Sequence, residues 1–563
     1  MKLVPDKKLA GILCPLFALR TADDLGIGDT VAVKEMIDWC HRHGLGVLQL
    51  LPINETGPDN SPYNAISAMA LEPTTITTTP AALPDLLPAD FERIATGELQ
   101  SELRAGPVRY RQVKALKREL LLAAFERGAQ RPEIAAFAKA NPWLGDYTLY
   151  RALLDENDGR DDWESWPAEH QSPAAAAKAL AQSAAFQRRR QFYAYVQWVA
   201  HEQWSAVRRY ADAHGVALMG DIPFGVSRTS ADVWGQRELF DLTWSGGAPP
   251  EPAFKPDAFT AQWGQNWGIP LYRWEAHRRQ KFTWWTQRVR QTSGIFHLFR
   301  IDHVLGFYRV FAFPWRPREN GVFSGLTEAQ AQERTQGRVP RFFPFADDTP
   351  AHRQANCEQG EALLEVIRRA AGETVVVAED LGVVPDYVRP NLAKLGIPGF
   401  KIPYWERNGD YTFVDGAQYP RLSVVTPATH DHEPLVGHWR QLWQAHEDAR
   451  AKQDHHNAYI TWLELQRFVA WAGGDENNVP LEFTPALHEA SCRRVLASNA
   501  WLAIFMITDV FAQEMRFNVP GPIAESNWTE RLQTTIAELD AEPHRRHQAH
   551  DLARLVRETH RQI

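Results

Sequence analysis

Short apolar runs alternate along the chain with longer amphipathic stretches. The runs are continuous rather than alternating, which is typical of parallel strands buried on both faces. They predict eight strands, which lie within residues 9–19, 47–51, 216–219, 295–301, 374–378, 400–404, 422–425 and 501–507. Apolar residues at helical spacing predict helices over residues 30–43, 363–371 and 385–395. This alternation predicts an α/β fold.

The order of the elements favours a (β/α)8 TIM barrel with large, mainly helical insertions between barrel strands. Several predicted strands end in acidic residues, and the chemistry of such barrels lies at the C-terminal rim of the strands. A doubly wound sheet is the alternative that the same pattern allows. We expect a single elaborated barrel domain over residues 1–563, with helical insertion subdomains at residues 80–200 and 432–495.

Composition narrows the class of protein. The 563 residues are 44% hydrophobic and 23% charged, as in a globular protein, and no uninterrupted apolar run is long enough to span a membrane. The net charge of −8 argues against a nucleic-acid partner. The four cysteines lie far apart and residues 9–19 precede no signal-peptide cleavage site, so we expect a cytoplasmic protein without a disulfide scaffold.

Aromatic residues are abundant, with 21 Trp, 27 Phe and 14 Tyr. A large core accounts for most of them. Some tryptophan and tyrosine rings can also form flat platforms for sugars, which have apolar faces and polar rims. Composition alone leaves both interpretations open.

Carboxylates follow three of the predicted strands, at Asp302, Glu379 and Asp431. In one barrel, all three would meet at the same rim. A retaining glycosidase uses one carboxylate as nucleophile and a second carboxyl group as acid and then base. Arg300 lies two residues before Asp302, on the same strand face, where its charge would keep that carboxylate ionised.

The same positions allow other roles. Each acid at a strand end can be only the N-cap of the next helix. Together with His303 and Asp380, the pair His430 and His432 also fits a metal-dependent barrel hydrolase, although such enzymes usually carry histidines on more strand ends.

Ordered motifs over nearly the whole chain resemble the 4-α-glucanotransferases known as amylomaltases or disproportionating enzymes, which are relatives of the α-amylases. The segment GQNWGIPLY at residues 264–272 is particularly distinctive. The other matching segments are residues 25–29, 61–63, 67–68, 220–223, 230–234, 300–303, 306–307, 378–382, 429–431, 516–521 and 527–528.

The resemblance implies a role for each matching site residue. Asp302 would be the nucleophile, Glu379 the acid/base, and Asp431 the residue that stabilises the distorted sugar. The substrate-binding residues would be Ser61, Tyr63, Asp221, Trp267, Arg300, His303 and His430. The implied reaction moves segments of an α-1,4-glucan or maltooligosaccharide to the 4-hydroxyl of another glucan or of glucose. It needs no metal, nucleotide or redox cofactor and no nucleic-acid or membrane partner.

The chain departs from the family pattern at two places near the site. The segment 247–257, within the expected active-site loop region 245–270, is longer than the compact family form. After Asp431, the usual Asn-Asp-Thr is replaced by His432, Glu433 and Pro434. These departures leave the donor length and the neighbouring sugar contacts undefined. Sequence also leaves open a glucan hydrolase, which would use the same residues but admit water.

Overall fold

The computed structural model describes residues 1–250, 257–520 and 526–563. Within these residues it contains two β-sheets and many helices. The strands, in chain order, are β1 Leu9–Leu13, β2 Val47–Gln49, β3 Ala217–Ile222, β4 Phe240–Ala248, β5 Gln265–Tyr272, β6 Leu298–Ile301, β7 Val310–Phe313, β8 Arg341–Phe343, β9 Val375–Ala378, β10 Gly399–Lys401, β11 Ser423–Val425 and β12 Leu502–Met506.

Eight of these strands form one parallel sheet, in the order β10-β11-β12-β1-β2-β3-β6-β9. The two edge strands approach each other, since the amide of Ala378 at the end of β9 donates to the carbonyl of Pro398, just before β10, at 2.9 Å. The sheet therefore curls into a near-closed barrel. The prediction of a (β/α)8 barrel is confirmed, and each predicted strand region overlaps one of the eight barrel strands.

Helices surround the barrel and fill the long connections. Seven lie between β2 and β3: Pro88–Ile94, Gly97–Arg104, Tyr110–Gly128, Pro132–Ala140, Trp143–Glu156, Pro173–Ala179 and Ala184–His214. Three lie between β11 and β12: Leu435–Ala451, His455–Ala472 and Pro485–Ala497. The others are Thr30–Arg42, Ala231–Gly235, Ala258–Trp263, Trp274–Arg279, Thr283–Ile295, Leu305–Tyr308, Asn320–Phe323, Glu328–Arg334, Pro350–Ala371, Val388–Leu395, Ile507–Val510, Glu538–Ala541 and Pro543–Glu558.

Local sequence signals explain several helix ends. Asp29 caps Thr30–Arg42, because its carboxylate accepts a hydrogen bond from the amide of Val31. The predicted helix at residues 363–371 is the last part of a longer helix, Pro350–Ala371, which begins at a proline after the capping residue Thr349. None of the described helices has the length and apolar character needed to cross a membrane.

The second sheet is antiparallel and was not predicted. Its order is β5-β4-β7-β8, and it projects from the barrel between β3 and β9. Its edge strand β5 begins with half-buried residues and the exposed Trp267, and only its last three residues are buried, so it lacks the continuous apolar run that reveals the barrel strands. The strands β4 and β5 form the two sides of the region 245–270. Residues 251–256, part of the longer loop noted above, lie outside the described residues.

Candidate active site

The candidate site is organised around the guanidinium of Arg300, at the C-terminal end of β6. Its Nη1 lies 2.7 Å from Asp221 Oδ2 and its Nη2 lies 2.8 Å from Asp302 Oδ1. The same Nη2 is 3.9 Å from Glu379 Oε2. The barrel register explains this cluster, because Asp221 is paired with Arg300 across β3 and β6, and Glu379 directly follows the neighbouring strand β9. Of the three strand-end acids that were expected to meet, Asp302 and Glu379 both lie within 4 Å of Arg300.

Glu379 is held by backbone donors. The amide of His303 donates to its Oε2 at 2.7 Å, and the amide of Leu381 donates to its Oε1 at 2.9 Å. Burial raises the pKa of Glu379 above its ordinary value; Arg300 opposes this rise and the carboxylate of Asp302 adds to it. Glu379 is therefore suited to hold a proton near neutral pH.

Asp302 is more accessible than the groups around it. Its side chain is 28% exposed, whereas that of Arg300 is 4% exposed. The amide of Asp302 donates to the carbonyl of Ile222, which continues the barrel ladder to the rim. An accessible carboxylate held by a buried guanidinium can reach a substrate atom.

Asp221 lies beneath this pair and is buried. It accepts hydrogen bonds from Arg300 and, at 2.7 Å, from the hydroxyl of Tyr63. Burial raises the pKa of Asp221, an effect that Arg300 opposes. Its second oxygen, Oδ1, is enclosed by protein and has no hydrogen-bond partner among the described residues.

Tyr63 connects this cluster to the third strand-end carboxylate. Its ring is stacked on His430, with centroids 5.0 Å apart and an interplanar angle of 12°. His430 Nε2 in turn lies 3.3 Å from Asp431 Oδ2, and burial lowers the pKa of His430, which keeps its imidazole neutral. Ser61 is linked to the cluster through Tyr63, because the backbone amide of Tyr63 donates a hydrogen bond to the hydroxyl oxygen of Ser61.

Asp431 is fixed by residues to which the sequence analysis gave no role. Asn518 Nδ2 donates to its Oδ1 at 2.6 Å, and Arg516 Nη2 donates to its backbone carbonyl at 2.8 Å. Burial alone would raise the pKa of Asp431, but His430 and the Asn518 hydrogen bond keep it below its ordinary value. The sequence contains one indication that Arg516 and Asn518 matter, because residues 516–521 are among the segments that resemble the glucanotransferase family.

His303 and Trp267 form the opposite wall. The backbone of His303 has a positive φ of 47°, and its ring meets Trp267 edge to face at a centroid distance of 4.8 Å. Burial lowers the pKa of His303 to about 4, so the ring is neutral near pH 7. Trp267 lies on β5 and is 38% exposed. The antiparallel sheet thus brings an accessible aromatic face to the rim.

All ten predicted site residues belong to one contact network. They are Ser61, Tyr63, Asp221, Trp267, Arg300, Asp302, His303, Glu379, His430 and Asp431. Across the described residues, no group of three or more His, Cys, Asp or Glu side chains has the arrangement of a metal site. The network instead offers an accessible carboxylate, Asp302, beside a carboxyl group whose pKa is raised, Glu379. This is the pair that acid-assisted nucleophilic substitution at a sugar requires.

Comparisons with known proteins agree with this chemistry. The sequence model of the family described as 4-alpha-glucanotransferase matches residues 14–536. A 4-alpha-glucanotransferase from Chlamydia caviae is 31% identical over 551 residues, covering 94% of this chain and 91% of the relative. One from Thermus thermophilus is 30% identical over 507 residues, covering 86% and 87%.

A solved structure shares the fold. It is an amylomaltase from Streptococcus agalactiae in complex with acarbose, with a TM-score of 0.77 and 20% identity, and the match covers 99% of this chain and 100% of that one. Both the family match and the relatives extend over most of the chain. The chain therefore belongs to the family of enzymes described as 4-alpha-glucanotransferases.

Proposed function

We propose that the chain transfers α-1,4-glucan segments by a double displacement at the Arg300 cluster. The observation that carries the proposal is the position of Arg300 Nη2 within hydrogen-bond distance of Asp302 and 3.9 Å from Glu379. Arg300 pairs with the first carboxylate, while burial raises the pKa of the second so that it can keep its proton. Such a close pair suits a retaining enzyme, in which about 5–5.5 Å separates the two carboxyl groups.

In the first step, Asp302 attacks the anomeric carbon of the donor glucan. The bond from that carbon to the glycosidic oxygen breaks as Glu379 gives its proton to the departing oxygen, and a covalent glucosyl ester of Asp302 forms. In the second step, the 4-hydroxyl of an acceptor attacks the same carbon. Glu379 takes up the hydroxyl proton, Asp302 leaves, and a new α-1,4 bond replaces the one that was cleaved. The scheme needs no metal, nucleotide or redox cofactor.

The other members of the network support this chemistry through binding. Asp431, with a lowered pKa, would stabilise positive charge on the distorted sugar. The neutral rings of His303 and His430 are suited to sugar hydroxyls, and Asp221 supports the binding set by holding Arg300 in place. Trp267 offers an exposed aromatic face to a sugar ring. Ser61, Tyr63 and Arg300 complete the binding set.

The experiment that tests the nucleophile is Asp302→Asn, which removes the charge with little change in shape. We expect transfer between maltooligosaccharides to fall by at least about 10³-fold, with an unchanged unfolding temperature. Asp158→Asn is the matched control, because Asp158 is 90% exposed and lies at a positive φ that asparagine tolerates. Full turnover in Asp302→Asn would overturn the assignment.

We further propose that maltooligosaccharides are donors and that glucose is an acceptor. Incubation with maltotriose and ¹⁴C-glucose should place the label at the reducing end of longer sugars, because the acceptor contributes the new reducing end. If the label stays in free glucose while maltotriose is rearranged, glucose is not an acceptor.

We also propose that the enzyme works in the cytoplasm. All four cysteines of the chain are described and unpaired, and three of them are buried. This suits a reducing compartment. Cell fractionation followed by immunoblotting tests the proposal, and recovery of the protein outside the cytoplasm would contradict it.

A further inference from the structure

His432 stands directly beside Asp431, at a position where the family pattern has asparagine. Its ring meets Trp405 edge to face, with centroids 4.7 Å apart and an interplanar angle of 82°. The ring of Trp405 is 47% exposed. The imidazole of His432 therefore packs against an exposed aromatic ring, on the residue that directly follows a carboxylate of the candidate active site.

The hydrogen bonds around His432 define which of its nitrogens carries the proton. His432 Nδ1 lies 2.7 Å from the hydroxyl oxygen of Thr429, which also accepts a hydrogen bond from the amide of Asp431. Among the described residues, the Thr429 hydroxyl hydrogen has no acceptor other than His432 Nδ1. Burial lowers the pKa of His432 to about 4, so the ring is neutral. Pairing of that hydroxyl hydrogen favours Nδ1 as the acceptor, which places the single ring proton on Nε2.

That Nε2–H group is free to bind. In the part of the chain that the structure describes, Nε2 of His432 has no hydrogen-bond partner. It is also not one of the unpaired side-chain atoms that are enclosed by protein, so a ligand can reach it. It is therefore an accessible neutral donor at the candidate active site, held in place through Thr429. Uncharged hydroxyl groups are its natural partners, and a glucan carries several on each sugar.

We propose that His432 is a substrate-binding residue whose Nε2–H donates a hydrogen bond to a hydroxyl of the α-1,4-glucan next to Asp431. The inference rests on the proposed function of this site. It assigns to the chain a specificity contact made by a residue that differs from the family pattern. Histidine extends further from the backbone than asparagine and presents one donor in a fixed direction, whereas asparagine presents a shorter amide.

The first test compares His432→Phe with His432→Gln. Phenylalanine keeps a flat ring against Trp405 but removes the donor, so KM for maltotriose should rise about tenfold while kcat changes less than about threefold. Glutamine restores a side-chain N–H and should recover part of the loss. His547→Phe is the control, since His547 is 77% exposed on the C-terminal helix. A KM equal to that of the wild type in His432→Phe would overturn the proposal.

The second test identifies the hydroxyl, and His432→Gln alone can supply its comparison if His432→Phe fails to fold. In a panel of maltosides that each lack one hydroxyl, one member should have a lower kcat/KM than the complete maltoside with the wild type. This deficit should shrink about tenfold in His432→Phe, which has no donor, and by a smaller factor in His432→Gln, which keeps part of the contact. If every deficit is the same in wild type and variants, His432 does not contact the glucan.

An error in the proposed function and an error in the His432 contact would give different results. If the proposed function is wrong, the wild type will not transfer glucan segments and Asp302→Asn will behave like the wild type. If only the present inference is wrong, transfer and its loss in Asp302→Asn will persist, while His432→Phe keeps the wild-type KM.

Discussion

At the scale of single residues, the site is defined by one cation among three carboxyl groups. Arg300 lies within 4 Å of Asp221, Asp302 and Glu379, and its own side chain is almost fully buried. A single positive charge cannot neutralise three negative charges in a buried environment, so a proton is retained in the cluster. Glu379, whose pKa is raised by burial and by Asp302, is the group that can both hold this proton and release it to a substrate.

This arrangement predicts the pH dependence of the reaction. Transfer needs protonated Glu379 in the first step, so kcat/KM should fall as pH rises through the elevated pKa of that group. The alkaline limb should therefore lie well above the ordinary glutamate value of about 4.3. In Glu379→Gln, an activated donor such as α-maltosyl fluoride should still form the glucosyl ester of Asp302. The rate of ester formation should then no longer fall at alkaline pH. An alkaline limb that persists in the variant would assign it to another group.

Sequence was informative at this scale where contacts are local. The contact between Arg300 and Asp302 follows from a spacing of two residues on one strand, and the N-cap role of Asp29 follows from its place before an amphipathic helix. The contact between Asn518 and Asp431 joins residues 87 positions apart, and the approach of Trp405 to His432 depends on a loop conformation. Neither leaves a periodic signal, so only the folded chain reveals them.

At the scale of elements, the antiparallel sheet supplies the aromatic wall of the site. Strand β5 is anchored by Asn266, whose Oδ1 accepts from the hydroxyl of Ser245 on β4 and whose Nδ2 donates to the carbonyl of Trp315. The next residue, Trp267, is thereby presented to His303, and Gly268 follows with a φ of +80° that favours glycine. The distinctive segment 264–272 thus predicted a site residue without revealing the sheet that carries it.

We expect Trp267→Ala to raise KM for maltotriose about tenfold, because a stacking face for the sugar is lost. Trp267→Phe should retain most of the affinity, since it keeps an aromatic face. Tyr459→Ala, at a position that is 61% exposed on the helix His455–Ala472, serves as the control. Steady-state kinetics with maltotriose measure this change in KM. Equal KM values for Trp267→Ala and the wild type would exclude Trp267 from substrate binding.

A buried carboxyl group joins the barrel to the insertion that follows Asp431. Asp509, just after β12, accepts a hydrogen bond from the amide of Leu435 at 2.7 Å and one from the amide of Met506 at 3.3 Å. Leu435 is the first residue of the helix Leu435–Ala451. Asp509 thereby fixes the start of that helix, four residues after Asp431. Burial raises the pKa of Asp509 to about 7.

This raised pKa predicts a pH-dependent contribution to stability. An unfolded aspartate has a pKa of about 3.9, so between about pH 4 and 7 the folded state binds more protons and the contribution of Asp509 to the unfolding free energy falls as pH rises. Asp509→Asn cannot titrate. Its stability deficit relative to the wild type should therefore be smaller at pH 8 than at pH 5, by at least about 1 kcal/mol.

Urea unfolding at the two pH values measures this difference. Asp158→Asn, at an exposed position, should show no such change. A deficit for Asp509→Asn that is independent of pH would show that the carboxyl group does not titrate in this range.

At the scale of the whole molecule, we propose that the chain is a single elaborated barrel domain. Its ends are joined within the sheet, because β1 pairs with β12. The buried guanidinium of Arg561 reinforces this junction by donating to the carbonyls of Leu9, Leu496, Ser498, Ala500 and Trp501. The helix Ala184–His214 runs from the first large insertion almost to β3, where it contacts the barrel core. The insertions thus share the core of the barrel rather than forming their own.

Shared cores predict cooperative unfolding. Far-UV circular dichroism, which follows the many helices, and tryptophan fluorescence, which follows rings in all regions, should give coincident urea transitions. Two transitions separated along the urea axis would instead make the insertions independent domains.

The central claim is that the chain exchanges glucan segments through the Asp302 and Glu379 pair. Its most direct test is product analysis after incubating the purified protein with maltotriose in buffer containing EDTA. We expect glucose together with a ladder of longer maltooligosaccharides, no net gain in reducing ends, and no products from Asp302→Asn. Glucose and maltose with steadily rising reducing ends would contradict the account and identify a hydrolase on the same barrel.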